Sequence, residues 1–254
     1  MDKVKKEHMR WFLSDKVRKI VDWRDTDQSK GLPAPPIEKP VDSKHKQNIL
    51  KLPKPLDSGA LGAVSIADAI ARRKSRRSFS RAPLSLEELA FLLWAVQGVR
   101  RRIGPNTVLR TVPSAGGRHA FETYIASLNV KNLSPGLYRY LPLDHSLLQI
   151  RPDENLGEEL VKAALGQSFF GDSAAVFIWS VIPYRMEWRY DLAAYRVILM
   201  DAGHMCQNLY LACEGVGAGT CAVGAYDQEA IDKLIEVDGT DEFTIYMAPV
   251  GKTK

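Results

Sequence analysis

Two short stretches hold the residue types that could do chemistry. Arg72-Arg73-Lys74-Ser75-Arg76-Arg77-Ser78-Phe79 packs four arginines, one lysine and two hydroxyls into eight residues. Guanidinium forks and hydroxyls both donate to phosphate oxygens, so the run suits a multiply charged oxyanion. The same residues would also serve as a solvated charged face. Farther along, Pro113-Ser114-Ala115-Gly116-Gly117 strings small residues behind a proline. Backbone with little or no side chain can pass close to a flat ligand. One stretch reads as a phosphate grip and the other as a rest for a ring.

Other candidates are weaker. Gly215-Val216-Gly217-Ala218-Gly219-Thr220 looks like a dinucleotide fingerprint, but that motif follows a strand and opens a helix, and here a long helix comes first. It reads as a helix C-cap and a flexible turn whose N–H groups could still face a ligand. Of the five histidines, His8, His45, His119, His145 and His204, none is paired with another His or a Cys at metal spacing. His204 and Cys206 are two apart on a helix and face different ways. No metal site is expected. No Gly-x-Ser-x-Gly elbow occurs, which argues against a Ser-His-Asp hydrolase. Asp172, Asp191 and Asp201 read as isolated solvated or capping acids.

The elements that must position these stretches are legible in order. Met9, Phe12, Leu13, Val17, Ile20 and Val21 recur at helical spacing with basic residues between them. The helix they predict over residues 1–24 would dock on the protein itself or on a partner subunit in preference to a membrane. Residues 31–58 hold six of the 14 prolines and read as an extended arm outside the packed fold, able to reach along a neighbour. Ser65 caps a helix running to about Arg73, and Ser85-Leu86-Glu87-Glu88 opens another that ends near Gly98. Arg100 to Thr111 is basic and irregular. Thr123–Leu128 reads as a strand, and Gly136–Tyr140 with Ser146–Ile150 as a hairpin. Glu158–Leu165 reads as a short helix, and Ala175–Ile182 as a strand buried on both faces. Leu192–Glu214 is a long helix, apolar on most sides and therefore expected in the middle of the structure. Asp227 caps a helix to Leu234, and Thr244–Ala248 is a last strand. Helices and strands without strict alternation indicate an α+β fold.

Composition sets the bounds. The chain has 254 residues, 45% of them apolar, enough for a sizeable core. No apolar run nears the roughly 20 residues of a membrane helix, and no apolar segment follows Met1–Glu7, so neither a span nor a signal peptide is expected. Cys206, Cys213 and Cys221 make an odd set without Cys-x-x-Cys spacing, which fits a reducing cytoplasm. The net charge of +5 is not arranged as a basic run interleaved with aromatics, so an anionic small ligand is favoured over nucleic acid.

Five motifs in order resemble the nitroreductase superfamily of FMN-dependent oxidoreductases. Within it they look most like the SagB-type dehydrogenase branch, relatives of the azoline oxidases of peptide natural products. They are Arg73-x-Ser75-x-Arg77-x-Phe79; Pro113-Ser114-Ala115-Gly116-Gly117 followed by Glu122; Asp201-x-Gly203-His204-x-x-Gln207-Asn208; the Gly219–Gly224 stretch; and Pro249-Val250-Gly251. The resemblance covers roughly residues 66–252. It implies an α+β nitroreductase-like sandwich, a central mixed or antiparallel sheet flanked by helices, working as an intertwined homodimer with two FMN sites at the interface. It divides the chain into a helix and proline-rich arm, 1–60, and an FMN-binding domain, 61–254.

By the same resemblance, Arg73, Lys74, Ser75 and Arg77 would hold the FMN phosphate, with Lys252 joining from the C-terminus. Pro113, Ser114, Ala115 and Gly116 would line the isoalloxazine from the other subunit. Ala222, Val223 and Gly224 would lie beside the ring, with a backbone N–H near flavin N5, and Gln167 would touch the flavin. The implied activity is ping-pong hydride transfer from NAD(P)H through N5 to an acceptor not identified by sequence, with nitroaromatics and quinones as possible acceptors. Alternatives are a SagB-like dehydrogenase oxidising a heterocycle in a peptide-modification pathway, and a flavin-binding scaffold with little turnover. Azoline oxidases of the branch carry a Lys-Tyr pair before the long helix. Here the pair is Arg189-Tyr190, which keeps Tyr190 as a catalytic candidate. Arginine cannot be a base near neutral pH, so azoline oxidation itself is doubtful. Arg189 would otherwise pair with Glu187 or Asp191.

Overall fold

A computed structural model describes residues 5–56, 61–104 and 106–254 of the chain. Residues 57–60, where the arm was expected to meet the main domain, lie outside the described residues, as do Met1–Val4 of the N-terminal helix prediction.

In chain order the elements are α1 (Lys6–Leu13), α2 (Lys16–Ile20), β1 (Ile49–Lys51), α3 (Ile66–Arg72), α4 (Leu86–Gln97), β2 (Val99–Gly104), β3 (Thr107–Arg110) and β4 (Phe121–Ser127). They continue with β5 (Gly136–Leu141), β6 (Ser146–Pro152), α5 (Leu156–Ala163), β7 (Ala175–Val181) and α6 (Tyr184–Tyr190). Last come α7 (Ala194–Gly215), β8 (Ala218–Thr220), α8 (Gln228–Leu234) and β9 (Phe243–Lys252). A seven-stranded sheet runs β1-β6-β5-β4-β7-β9-β8, and each of its neighbouring pairs is antiparallel.

The expected α+β sandwich follows from the two faces of that sheet. β7 is buried along its whole length and alternates its side chains between two cores. Phe177 and Trp179 face α4 and α7, packing with Leu89, Leu93, Met205 and Leu209. Val176 and Ile178 face α5 and α8, packing with Leu160, Phe170 and Ile231. Each such side chain contributes on the order of 1.5–3 kcal/mol by leaving water. The capping signals hold. Ser85 Oγ accepts the Glu88 N–H at 3.1 Å while Glu88 returns to the Ser85 N–H at 2.9 Å. Ser65 and Asp227 cap α3 and α8 in the same way, at 3.0 and 3.1 Å.

Several expectations are corrected. The N-terminal helix is two pieces, because Ser14 turns its N–H back to the Trp11 carbonyl and the chain restarts at Lys16. The basic 100–111 stretch is a β2–β3 ribbon, with Val108 and Arg110 buried and its other basic residues outside. Residue 105, between the two strands, lies outside the described residues. The 215–220 stretch is a helix end at Val216 followed by the edge strand β8, not a flexible turn. Helix α7 lies between sheet and surface: Leu199, Met200, Gly203 and His204 are exposed along one face.

The proline-rich arm is part of the packed fold. β1 pairs with β6, and Ile37 and Leu52 are buried. Prolines lack N–H groups, but the carbonyls of this stretch remain, and side chains of the main domain take them. Arg110 donates to Ile37 O at 2.7 Å, Arg139 to Pro40 O at 3.2 Å, and His145 Nε2 meets Pro53 O at 3.0 Å.

Candidate functional site

Helix α7 brings the distant stretches together. Near its C-terminal end, the Tyr210 hydroxyl accepts the Ala222 N–H at 2.8 Å and lies 2.9 Å from Ser75 Oγ. One of the two hydroxyls donates to the other, so Tyr210 fixes the position of Ser75. Arg73 stacks its guanidinium over the Tyr210 ring, 5.3 Å from the centroid. The basic stretch is fixed to β8 by backbone: Ser75 bridges to Thr220, and the Arg76 N–H donates to Thr220 O at 2.9 Å.

The charges of that stretch divide into two kinds. Arg76 turns inward and pairs with Glu214 on α7, which is 7% exposed. Glycine at 219 makes room for it, since a Cβ there would collide with the Arg76 side chain. Arg73, Lys74 and Arg77 have no ion pair among the described residues. Lys74 and Arg77 are exposed and Arg73 half-buried. Lys252, expected beside them, spends its ammonium elsewhere, on Glu88 at 2.7 Å and Val216 O at 2.5 Å.

The Ala222-Val223-Gly224 segment follows β8. The Ala222 N–H goes to Tyr210 and the Val223 N–H to Met247 O at 2.8 Å. Gly224 is the one of the three whose N–H has no partner among the described residues, and a Cβ built on it would meet open space. Gln167 holds this segment from the side, donating its amide to Ala164 O at 2.8 Å and Ala225 O at 2.9 Å.

The small-residue loop sits nine residues earlier on α7, about 14 Å along the helix axis. Asp201 accepts the Ala115 N–H with both oxygens, at 3.3 and 3.2 Å. It is buried, so the reading of Asp201 as a solvated acid is corrected. Burial pushes its pKa up, against the opposing bonds from Ser114 and Ala115. Ser114 Oγ accepts the His119 N–H at 2.9 Å. Gly116 has a φ of 56°, and a Cβ on it would lie 2.7 Å from both Arg189 Cδ and the Tyr190 hydroxyl. The Arg189-Tyr190 pair thus packs directly on the loop. Arg189 does not pair with Glu187, which instead accepts from the Tyr195 hydroxyl at 2.7 Å.

Beneath the loop lies a buried charge network. Arg185 donates to Glu122 at 2.6 Å, and both side chains are 2% exposed. The Lys39 N–H of the arm donates to the same carboxylate at 2.8 Å. Burial alone raises Glu122, but Arg185 and Arg139 outweigh it and its pKa is lowered. His119, 4% exposed, is held down to about 3, first by burial and then by the charge of Arg110. Among the described residues no group of three His, Cys, Asp or Glu is placed to hold a metal, and no helix is long and apolar enough to cross a membrane.

Sequence reasoning missed Tyr210, Asp201 as an anchor, and Arg118. Tyr210 leaves no signal, because one more apolar residue on an apolar helix is unremarked. Asp201 did leave one, an acid inside an otherwise apolar helical pattern.

Comparisons with known proteins identify the family and the fold. The model of the nitroreductase family matches residues 70–252. The MJ1384 protein of Methanocaldococcus jannaschii, a nitroreductase by name, is 33% identical over 189 residues, covering 74% of this chain and 91% of that protein. The microcin B17-processing protein McbC of Escherichia coli is 25% identical over 140 residues, 53% of this chain, and the match spans about half of McbC, 51%. A solved structure from Ralstonia eutropha, titled as a nitroreductase, superposes with a TM-score of 0.67 at 27% identity, covering 88% of this chain and 99% of its own.

Proposed function

The chain belongs to the nitroreductase family, and from that membership we propose that it is an FMN-dependent oxidoreductase acting as a homodimer. The residues present fit such a cofactor. Arg73, Lys74, Ser75 and Arg77 form a donor set without internal acceptors, suited to a phosphate. Gly224 has an N–H with no partner among the described residues, and no side chain crowds the position where its Cβ would stand. Ser75 and Ala222 are joined through Tyr210, so phosphate grip and ring-edge donor are held in one frame. That shared frame is the observation that carries the reading.

When bound, FMN supplies two-electron chemistry between a nicotinamide donor and an acceptor. The chain does the rest. Lys252 supports the grip by bracing Glu88 and Val216. Gln167 fixes the backbone at Ala225, so that the Gly224 N–H keeps its direction. Pro113, Ser114, Ala115 and Gly116 give a flat surface anchored by Asp201. The Tyr190 hydroxyl stands at that surface and holds a proton for the acceptor.

The loop and the grip of one chain sit about 14 Å apart on one helix. A second copy laid against the exposed Leu199–His204 face of α7 would bring the loop of one subunit to the grip of the other. The three cysteines are all free and buried, in keeping with a reducing compartment such as the cytoplasm.

A second reading, a dehydrogenase acting on a heterocycle in a modified peptide, is favoured by the likeness to McbC and opposed by arginine at position 189.

The test is a visible absorption spectrum of the purified protein before and after anaerobic NADPH, then NADH. A yellow protein that bleaches supports the oxidoreductase. A yellow protein that neither nucleotide bleaches supports a substrate-reduced dehydrogenase or a flavin carrier. A protein that stays colourless after FMN is supplied defeats the proposal.

A further inference from the structure

Beside the small-residue loop lie two arginines that no carboxylate pairs among the described residues. Arg189 lies against Gly116, with its Nε 2.8 Å from where a Cβ would stand, and has no hydrogen bond or ion pair among the described residues. The Tyr190 hydroxyl reaches the same point at 2.7 Å and is also unpartnered. Arg118 follows the loop directly. It is 5% exposed, stacks over the Trp188 ring at 4.7 Å, and donates its Nε to Arg185 O at 3.3 Å. One of its terminal nitrogens is buried with no acceptor.

Three of the nearby acids already have partners. Asp201 accepts from Ala115, Glu187 from Tyr195, and Glu122 from Arg185. Asp191 lines a groove with Asp25, Tyr184 and Tyr195. Burial, and then the charges of Arg189 and Arg185, lower the Arg118 pKa, so the two guanidinium groups feel one another. Like charges held together without a counter-ion are costly, and an orphaned buried N–H is costly too. Both costs are relieved by an anion.

We propose that Arg118, Arg189 and Tyr190 form a receptor for a carboxylate on the electron acceptor. This rests on the oxidoreductase reading and names its substrate class: a flat molecule bearing a planar anion. Guanidinium forks match a carboxylate bidentately and the phenol adds a third donor. The cations assigned to the phosphate, Arg73, Lys74 and Arg77, lie at the other level of α7 within the same chain. Arginine where azoline oxidases carry lysine then has a use: it binds an anion.

The experiment compares 4-nitrobenzoate with 4-nitrobenzamide, which differ in charge at one position, as acceptors for the wild-type protein, Arg189→Gln and Arg189→Lys. The ratio of their kcat/KM values is the readout. It is expected to favour the benzoate about tenfold or more in the wild type, one charge-assisted contact, and to fall to about one in R189Q with R189K between. A wild-type ratio near one, or an unchanged ratio in R189Q, overturns the proposal. So does a variant whose NADPH-to-NADH preference changes while the acceptor ratio does not, because the anion would then be the nucleotide phosphate. Calorimetric binding of benzoate and benzamide to the purified protein separates the two readings. Benzoate preference, lost in R189Q, without any flavin turnover supports the receptor and defeats the oxidoreductase. NADPH bleaching with equal binding of the two does the reverse.

Discussion

The Tyr210 hydroxyl lies 2.9 Å from Ser75 Oγ, and through it a residue of the long helix ties the basic stretch to the segment after β8. Tyr210→Phe removes that tie and leaves the Ala222 N–H without a partner. The expected loss is about 1–3 kcal/mol of stability in denaturant unfolding, the cost of an unpaired buried donor. FMN affinity, read by flavin fluorescence quenching, is expected to weaken about tenfold. Unchanged affinity would separate Tyr210 from the site.

Neighbouring arginines should behave oppositely. Arg76→Ala strands Glu214 and is expected to cost about 3 kcal/mol, the lower end for a broken buried pair. Arg77→Ala breaks no pair among the described residues and should change stability by less than about 0.5 kcal/mol. Urea unfolding of the two variants decides it, and equal losses would contradict the inward and outward assignment.

Arg73→Ala with Arg77→Ala removes two of the cations assigned to the phosphate. The purified variant is expected to fold, by circular dichroism, and to lose its flavin on gel filtration. Full flavin occupancy would disprove the phosphate assignment.

His119 sets an acid limit. The unfolded chain takes up a proton near pH 6.5, while the folded chain resists until about 3. Between these values the unfolded state binds more protons, so stability is lost as pH falls, by up to about 1.4 kcal/mol per pH unit from this group. His119→Asn, whose side chain tolerates the observed φ of 50°, should flatten the slope of unfolding free energy between about pH 6 and 4. An unchanged slope would show that His119 is not the group responsible.

Leu199→Glu with Met200→Glu places two charges on the exposed face of α7. Light scattering is expected to show a dimer for the wild-type chain and a monomer for the variant. The variant should also lose flavin, because loop and grip would no longer meet. A variant that stays dimeric would move the interface elsewhere.

Much of this architecture was legible without coordinates because its signals are local. Ser65, Ser85 and Asp227 sit where a side-chain oxygen can reach an N–H three residues on, and each caps its helix. The largely apolar run at 175–182, broken by Ser180 alone, reads as a strand buried on both faces. The arm was misread because proline content reports missing donors and says nothing of carbonyls, which Arg110 and Arg139 claim from far along the chain.

The sequence by itself determined the α+β class, the capped helices, the strands of the sheet's centre and the cation-rich and small-residue stretches, since caps, periodicity and composition act within a few residues; it left β1, β2, β3, β8 and α6 unread. Only the tertiary structure decided which cations face outward. Arg76 and Arg77 are adjacent and chemically alike, yet Arg76 is neutralised by Glu214, 138 residues away, and Arg77 is not. It likewise decided that Arg189 and Tyr190 rest on Gly116 and that Tyr210 joins Ser75 to Ala222. Such pairings depend on how helix α7 lies across the sheet, a matter of long-range packing that no local pattern encodes.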